Sequence, residues 1–121
     1  GDLNGKKIVI WGLAFKPDTD DMREAPSLVI VDLLLTAGCE VAVYDPIALP
    51  EAKKRLGKKV SYAENMYDKL IGADALLLLT EWKEFRIPDW NIVKKSMNTP
   101  VILDGRHIYN RREMLENGFI G

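Results

Sequence analysis

Cysteine and histidine are nearly absent from this 121-residue chain: Cys39 and His107 are the only ones. A lone thiol excludes an intrachain disulfide and fits a reducing cytoplasm, the compartment expected here. His107 has no cysteine nearby to complete a nucleophile pair and reads as a polar residue following a turn. No apolar run reaches the roughly 18 residues of a membrane span, and no signal peptide opens the chain, so a soluble protein with no membrane partner is expected. Charge of one sign is lacking too, the formal net charge being −1. The one basic cluster, Lys53-Lys54-Arg55 with Lys58-Lys59, has no aromatic residues interleaved and reads as the solvated face of a short helix, so no nucleic-acid partner is expected. The glycines form no G-x-G-x-x-G, and Gly57-Lys58 lacks the upstream glycine of a P-loop. Asp18, Asp20 and Asp21 imitate the start of a calcium loop, yet Arg23 stands where its glycine belongs and Val29 where its glutamate belongs. No metal site is expected.

What is there is the composition of an ordinary globule, 47% hydrophobic and 29% charged, in a length suited to one domain. Short apolar runs predict strands at Lys7–Trp11, Glu40–Tyr44, Val60–Tyr62, Ala75–Leu79 and Val101–Leu103. Runs as continuous as Ala75 to Leu79 suit strands covered on both faces. Helix signals fall between them. Pro26-Ser27 opens the first helix and Gly38 closes it, Pro50 opens a second, and Asn65 precedes Met66 to Ile71. Pro88-Asp89 precedes Trp90 to Met97, and Asn110 precedes Arg111 to Glu116. Strands alternating with helices predict an α/β fold: a Rossmann-like doubly wound parallel sheet, three-layer α/β/α, in a single domain with strand order 3-2-1-4-5. The first helix, Leu28 to Leu35, is apolar nearly all round, which predicts contact with another domain or subunit.

In such a sheet ligands bind beyond the carboxyl ends of the strands, where the strand order reverses. The unusual motifs all fall at such ends: Phe15-Lys16, Asp45-Pro46, Thr80-Glu81-Trp82 and Asp104-Gly105-Arg106. The loop from Gly12 to Ser27 joins a strand to a helix, a position where helix-start N–H groups and basic side chains can both face an anion. Lys16 offers a compact ammonium, whereas Arg23 and Arg106 offer planar forks for bidentate contacts. From the residues alone other roles stay open: a solvated loop lysine, an Arg23 ion pair with Asp20, Asp21 or Glu24, and a sheet-end ion pair for Arg106. Asp45 stands where NAD enzymes carry a ribose-binding acid, but without the glycine fingerprint it reads as an Asp-Pro turn. Trp82 and Phe85, three apart, read as packing rather than a stacking platform, and Trp11 and Trp90 as core or interdomain contacts.

Gly12-Leu13-Ala14-Phe15-Lys16-Pro17 with Asp20-Asp21-Met22-Arg23-Glu24, then Val43-Tyr44-Asp45-Pro46, Thr80-Glu81-Trp82-Lys83-Glu84-Phe85 and Asp104-Gly105-Arg106 run in one order along nearly the whole chain. Together they resemble the C-terminal, UDP-binding domain of the UDP-glucose/GDP-mannose dehydrogenase family. The resemblance implies that Phe15 and Lys16 help to hold a nucleotide sugar, that Arg106 lies at the same cleft, and that Arg23 reaches toward NAD bound by another domain. It implies an NAD-dependent 6-dehydrogenase that oxidises a UDP- or GDP-hexose to the uronic acid, in polysaccharide biosynthesis. Its cysteine nucleophile belongs to a central domain and its NAD fingerprint to an N-terminal one. Cys39, entering the second strand, is then a small buried filler and no residue of this chain is catalytic.

The chain is accordingly expected to be residues 1–121 of one nucleotide-sugar-binding domain within a longer enzyme, itself a homo-oligomer. The competing reading is a stand-alone Rossmann-like nucleotide-binding or regulatory module without catalysis.

Overall fold

Alternating side chains along the strands build two cores, one on each face of a single sheet. A computed structural model describes residues 4–14, 22, 25–80, 83–85, 88–99 and 101–104. Its strands are β1 (Lys7–Trp11), β2 (Glu40–Tyr44), β3 (Ser61–Tyr62), β4 (Ala75–Leu78) and β5 (Ile102–Asp104), and its α-helices are α1 (Pro26–Thr36), α2 (Leu49–Leu56) and α3 (Trp90–Ser96). All strand pairs are parallel, in the order β3-β2-β1-β4-β5. The expected order is therefore the observed one, with β1 central and the reversal of winding between β1 and β4.

The period of two along a strand sends neighbouring residues to opposite faces. Ile8, Ile10, Val41 and Val43 pack with Val31 of α1 and with Ala52 and Leu56 of α2. Val9, Trp11, Ala42, Leu76 and Leu78 pack on the other side with Val93 of α3, Leu70 and Phe85. Burial on both faces is why these strands read as apolar runs, and it makes the arrangement three-layered. Trp11 is fully buried, stacks on Phe85 with ring centroids 5.2 Å apart, and donates its Nε1–H to the Met66 carbonyl at 2.9 Å. Phe85 is thus packing, as its spacing from Trp82 suggests; Trp82 itself lies outside the described residues.

Four expectations shift. Residues 66–71 form turns instead of a helix. Asn65 Oδ1 accepts from the N–H groups of Tyr67 and Asp68, and Asp68 Oδ2 accepts from the Glu64 N–H. Leu70 N–H then closes a short turn on Tyr67 O, so side-chain acceptors supply locally what a helical ladder would otherwise provide. The third strand starts at Ser61 instead of Val60, and β4 ends at Leu78, with the Leu79 N–H making the last ladder bond to β1, on Trp11 O at 3.0 Å. The fifth strand is displaced by one residue, since Leu78 of β4 pairs with Asp104. The helix expected over 111–116 lies outside the described residues.

The first helix has an apolar outer surface that is uncovered among the described residues: Val29 and Leu33, one turn apart, are each 63% exposed. Along the groove between α1 and α2, Leu28 and Leu35 face Leu56, with Arg55 and Lys59 at the rim. The basic cluster on α2 and the turn after it is solvated, as read from the sequence. No helix among the described residues is long and apolar enough to cross a membrane.

Candidate functional site

The turn that leaves β1 is where the fold concentrates its polar chemistry. Among the described residues, Ser27, Asp45 and Thr80 are the polar side chains buried to 2% exposure or less. They come from the start of α1, the end of β2 and the end of β4, yet all three converge on the dipeptide Leu13-Ala14. Asp45 Oδ2 accepts from the Leu13 N–H at 2.8 Å and the Ala14 N–H at 3.3 Å. The Ser27 hydroxyl donates to the Leu13 carbonyl at 2.6 Å, and the Thr80 hydroxyl to the Ala14 carbonyl at 2.8 Å. Every backbone polar group of the dipeptide is therefore satisfied by a buried side chain. Leaving such groups buried without partners would cost about 1–3 kcal/mol each.

Asp45 serves two turns at once. Its second oxygen, Oδ1, accepts from the N–H groups of Ile47 at 2.9 Å and Ala48 at 2.8 Å, which fixes the turn leading into α2. The Asp-Pro turn expected from the sequence is therefore real, but it uses only half of the carboxylate. Four N–H donors make burial of this charge tolerable.

Gly12 lets the turn come so close. Its φ of +96° is a conformation that side-chain-bearing residues rarely adopt, and its N–H donates to Tyr44 O at 2.8 Å. A Cβ added there would stand 2.6 Å from Thr80 Cβ and 2.7 Å from Thr80 N. At the level of Gly12 the switch point between β1 and β4 is thus closed by packing, and Thr80 is a buried clamp instead of a crevice wall.

This geometry bears on which anions the turn can hold. In dinucleotide-binding domains the first-turn N–H groups face the pyrophosphate; here those of Leu13 and Ala14 face Asp45. The anion that these two N–H groups face is thus a side chain of the protein. A dinucleotide does not fit this turn, because both its hydrogen-bond donors and its space are taken.

Beside the clamp, Tyr44 closes β2 with its ring against Phe85, centroids 6.2 Å apart. Burial first, then the charges of Glu84 and Asp45 and a hydrogen bond to Glu84, push its hydroxyl above the ordinary tyrosine range. It stays a neutral donor at physiological pH. Cys39 is buried where the chain enters β2, at the strand end opposite this edge, and burial pushes its thiol up. A thiol held in its protonated form is a poor nucleophile.

The residues singled out for ligand contact, Phe15, Lys16, Arg23 and Arg106, lie outside the described residues, as does His107. Ala14, the last described residue before Phe15, is held on both its N–H and its carbonyl. Asp45, Ser27 and Thr80 were not distinguishable as one cluster in the sequence. The available signal was weak: three short polar residues, each adjoining an apolar run that would otherwise be buried outright.

The pattern has counterparts among known proteins. The UDP binding domain of the UDP-glucose/GDP-mannose dehydrogenase family matches residues 9–111. A UDP-glucose 6-dehydrogenase of Pseudomonas aeruginosa is 46% identical over 99% of this chain, which spans 28% of that enzyme's length. In solved structures, a UDP-glucose dehydrogenase from Pyrobaculum islandicum superposes with a TM-score of 0.80 at 34% identity, covering 93% of this chain and 24% of its own. An NDP-N-acetyl-D-galactosaminuronic acid dehydrogenase from Methanosarcina mazei gives 0.79 at 30% identity, covering 98% and 24%. The chain thus spans about a quarter of the length of the relatives it matches. It belongs to the UDP-glucose/GDP-mannose dehydrogenase family, of which it carries the UDP binding domain.

Proposed function

We propose that this chain, residues 1–121, is the nucleotide-sugar-binding part of a longer, cytoplasmic, NAD-dependent nucleotide-sugar 6-dehydrogenase, which oxidises a UDP- or GDP-hexose to the uronic acid for polysaccharide synthesis. The observation that carries this reading is the family match, because it spans all four candidate contacts, Phe15, Lys16, Arg23 and Arg106. The clamped turn supports it. With the N–H groups of Leu13 and Ala14 committed to Asp45, anion binding falls to side chains further along the loop, and Lys16 is the first cation there. Phe15, Lys16 and Arg106 are assigned to the nucleotide sugar and Arg23 to the NAD side of the cleft.

NAD is the oxidant of that reaction, and the first turn of this domain does not fit it. Its binding is therefore assigned to an N-terminal domain, and the nucleophile to a central one, with the whole enzyme a homo-oligomer. Among relatives of this fold the sugar differs, from UDP-glucose to an N-acetylated NDP-sugar, so the hexose is left as a class.

The test is Lys16→Ala in the enzyme that carries this domain. A charge-assisted hydrogen bond contributes about 1.5–3 kcal/mol, so nucleotide-sugar binding should weaken by about tenfold or more. Lys16→Arg should restore it only in part, a fork being a poor substitute for a point charge. Arg23→Ala should raise KM for NAD more than KM for the sugar nucleotide. Calorimetry giving unchanged nucleotide-sugar affinity in folded Lys16→Ala enzyme would remove Lys16 from the site.

A further inference from the structure

Asp45, Ser27 and Thr80 touch one dipeptide from three directions, and none of them projects from the loop they hold. Pairing distances of 2.6 to 3.3 Å leave Leu13-Ala14 one arrangement. The segment immediately after Ala14 is Phe15-Lys16, to which the proposed function assigns nucleotide-sugar contact. We propose that these three side chains are positioning residues for nucleotide-sugar binding: a buried polar clamp that sets where the chain enters Phe15-Lys16, with the Asp45 carboxylate standing in for the phosphate that such a turn binds elsewhere. This rests on the assignment of Lys16 above. A contact group displaced beyond hydrogen-bonding reach loses its contribution to affinity, about tenfold or more for a charge-assisted bond.

Asp45→Asn is the informative change. Asparagine keeps the shape but replaces one acceptor oxygen by a donor. Whichever way the amide faces, two N–H groups lose their acceptor: Leu13 and Ala14, or Ile47 and Ala48. Thr80→Val is the milder companion. It keeps the volume and removes one hydrogen bond, the one to Ala14 O, so it preserves a folded variant should Asp45→Asn fail to fold.

The experiment measures steady-state kinetics of the whole enzyme with UDP-glucose and NAD varied in turn, for Asp45→Asn, Thr80→Val, Lys16→Ala and the double variants. The clamp predicts that Asp45→Asn raises KM for UDP-glucose about tenfold, with Thr80→Val raising it less. KM for NAD and kcat per folded site should stay within about threefold. In the Lys16→Ala background the same substitutions should add little, because they act through the contact already lost. General destabilisation predicts otherwise: a lower active fraction, hence lower kcat, with both KM values unmoved. That result, or effects of Asp45→Asn and Lys16→Ala that add in full, overturns the clamp. If Lys16→Ala alone leaves KM for UDP-glucose unchanged, the Lys16 assignment fails and the clamp as stated falls with it. If Lys16→Ala acts and neither clamp variant does, only the clamp fails.

Discussion

Gly12→Ala is the sharpest probe of the switch point, because the structure separates two contributions to its cost. The first is conformational: at φ +96° a Cβ strains the backbone whatever surrounds it, at about 1–3 kcal/mol. The second is packing, since the new Cβ would lie 2.6 Å from Thr80 Cβ and 2.7 Å from both Thr80 N and Oγ1. Two of those three atoms cannot swing aside, so the loop or β4 must move, at about 1–3 kcal/mol by analogy with overpacked cores. The combined loss, about 2–6 kcal/mol, is a large fraction of the roughly 5–15 kcal/mol that holds a domain folded. Gly72→Ala supplies the internal reference. Gly72 has φ +75° and nothing within 4 Å of an added Cβ, so it should lose only the conformational part, about 1–2 kcal/mol. Urea denaturation of the 121-residue chain, comparing midpoints at constant slope, measures both. Thr80→Ala in the Gly12→Ala background should recover nothing, since Cβ and N of residue 80 remain and the hydroxyl bond to Ala14 is lost. A Gly12→Ala cost no larger than that of Gly72→Ala would show that the two loops do not meet as described.

Two further expectations follow from side chains away from the clamp. Cys39→Ser in the whole enzyme should leave turnover within a fewfold and lower stability by about 1–3 kcal/mol through a buried hydroxyl, as thermal unfolding beside a turnover assay will show; abolished turnover in folded protein would make Cys39 the nucleophile. Asp74 accepts from the Asn98 amide and from the Lys7 N–H, both at 2.9 Å, and the two hold its carboxyl below the ordinary 3.8. A depressed acid stabilises the fold above its unfolded-state pKa and loses that contribution as pH falls through the folded value. Wild type should therefore lose stability faster than Asp74→Asn as pH falls from about 5 to 3, and the two should run parallel from about 6 to 8, in denaturation series across pH.

Much of the fold is legible in the sequence because its signals are local. Continuous apolar runs such as Ile8-Val9-Ile10-Trp11 identify strands covered on two faces, and strict alternation of strand and helix leaves few ways to wind them. Asp89 is read as a helix start because its side chain caps its own helix, accepting from Asn91 and Ile92. Residues 66–71 carry a helix signal in the sequence yet form turns, because an equally local device, the Asn65 side chain, competes with helix formation over too few residues for propensity to win. Asp45 shows the limit in one residue. Its bonds to Ile47 and Ala48 span two and three residues and follow from the Asp-Pro pattern, whereas those to Leu13 and Ala14 cross more than thirty and follow only from the pairing of β1 with β2. Thr80 and Ser27 are illegible for a like reason: Thr80 reaches the Ala14 carbonyl through the pairing of β1 with β4, and Ser27 reaches the Leu13 carbonyl from the start of α1.

An internal carboxylate in the first turn changes what the loop must do to bind an anion. A turn whose N–H groups await a phosphate is incompletely satisfied until the ligand arrives, and part of the binding energy goes into ordering it. With Asp45 in place the turn is satisfied beforehand, so its order no longer depends on the ligand. The same exchange takes two backbone donors of the first turn away from any ligand and moves more of the burden of charge neutralisation to side chains. Side chains can be replaced one at a time without disturbing the sheet, whereas N–H donors belong to the backbone. A domain built this way can keep a rigid floor and vary the groups above it. That separation of scaffold from contact is compatible with the shared fold of relatives named for UDP-glucose and for an N-acetylated NDP-sugar. If Phe15 and Lys16 contact the nucleotide sugar as proposed, differences in sugar specificity should be sought beyond Ala14 and not in the clamp.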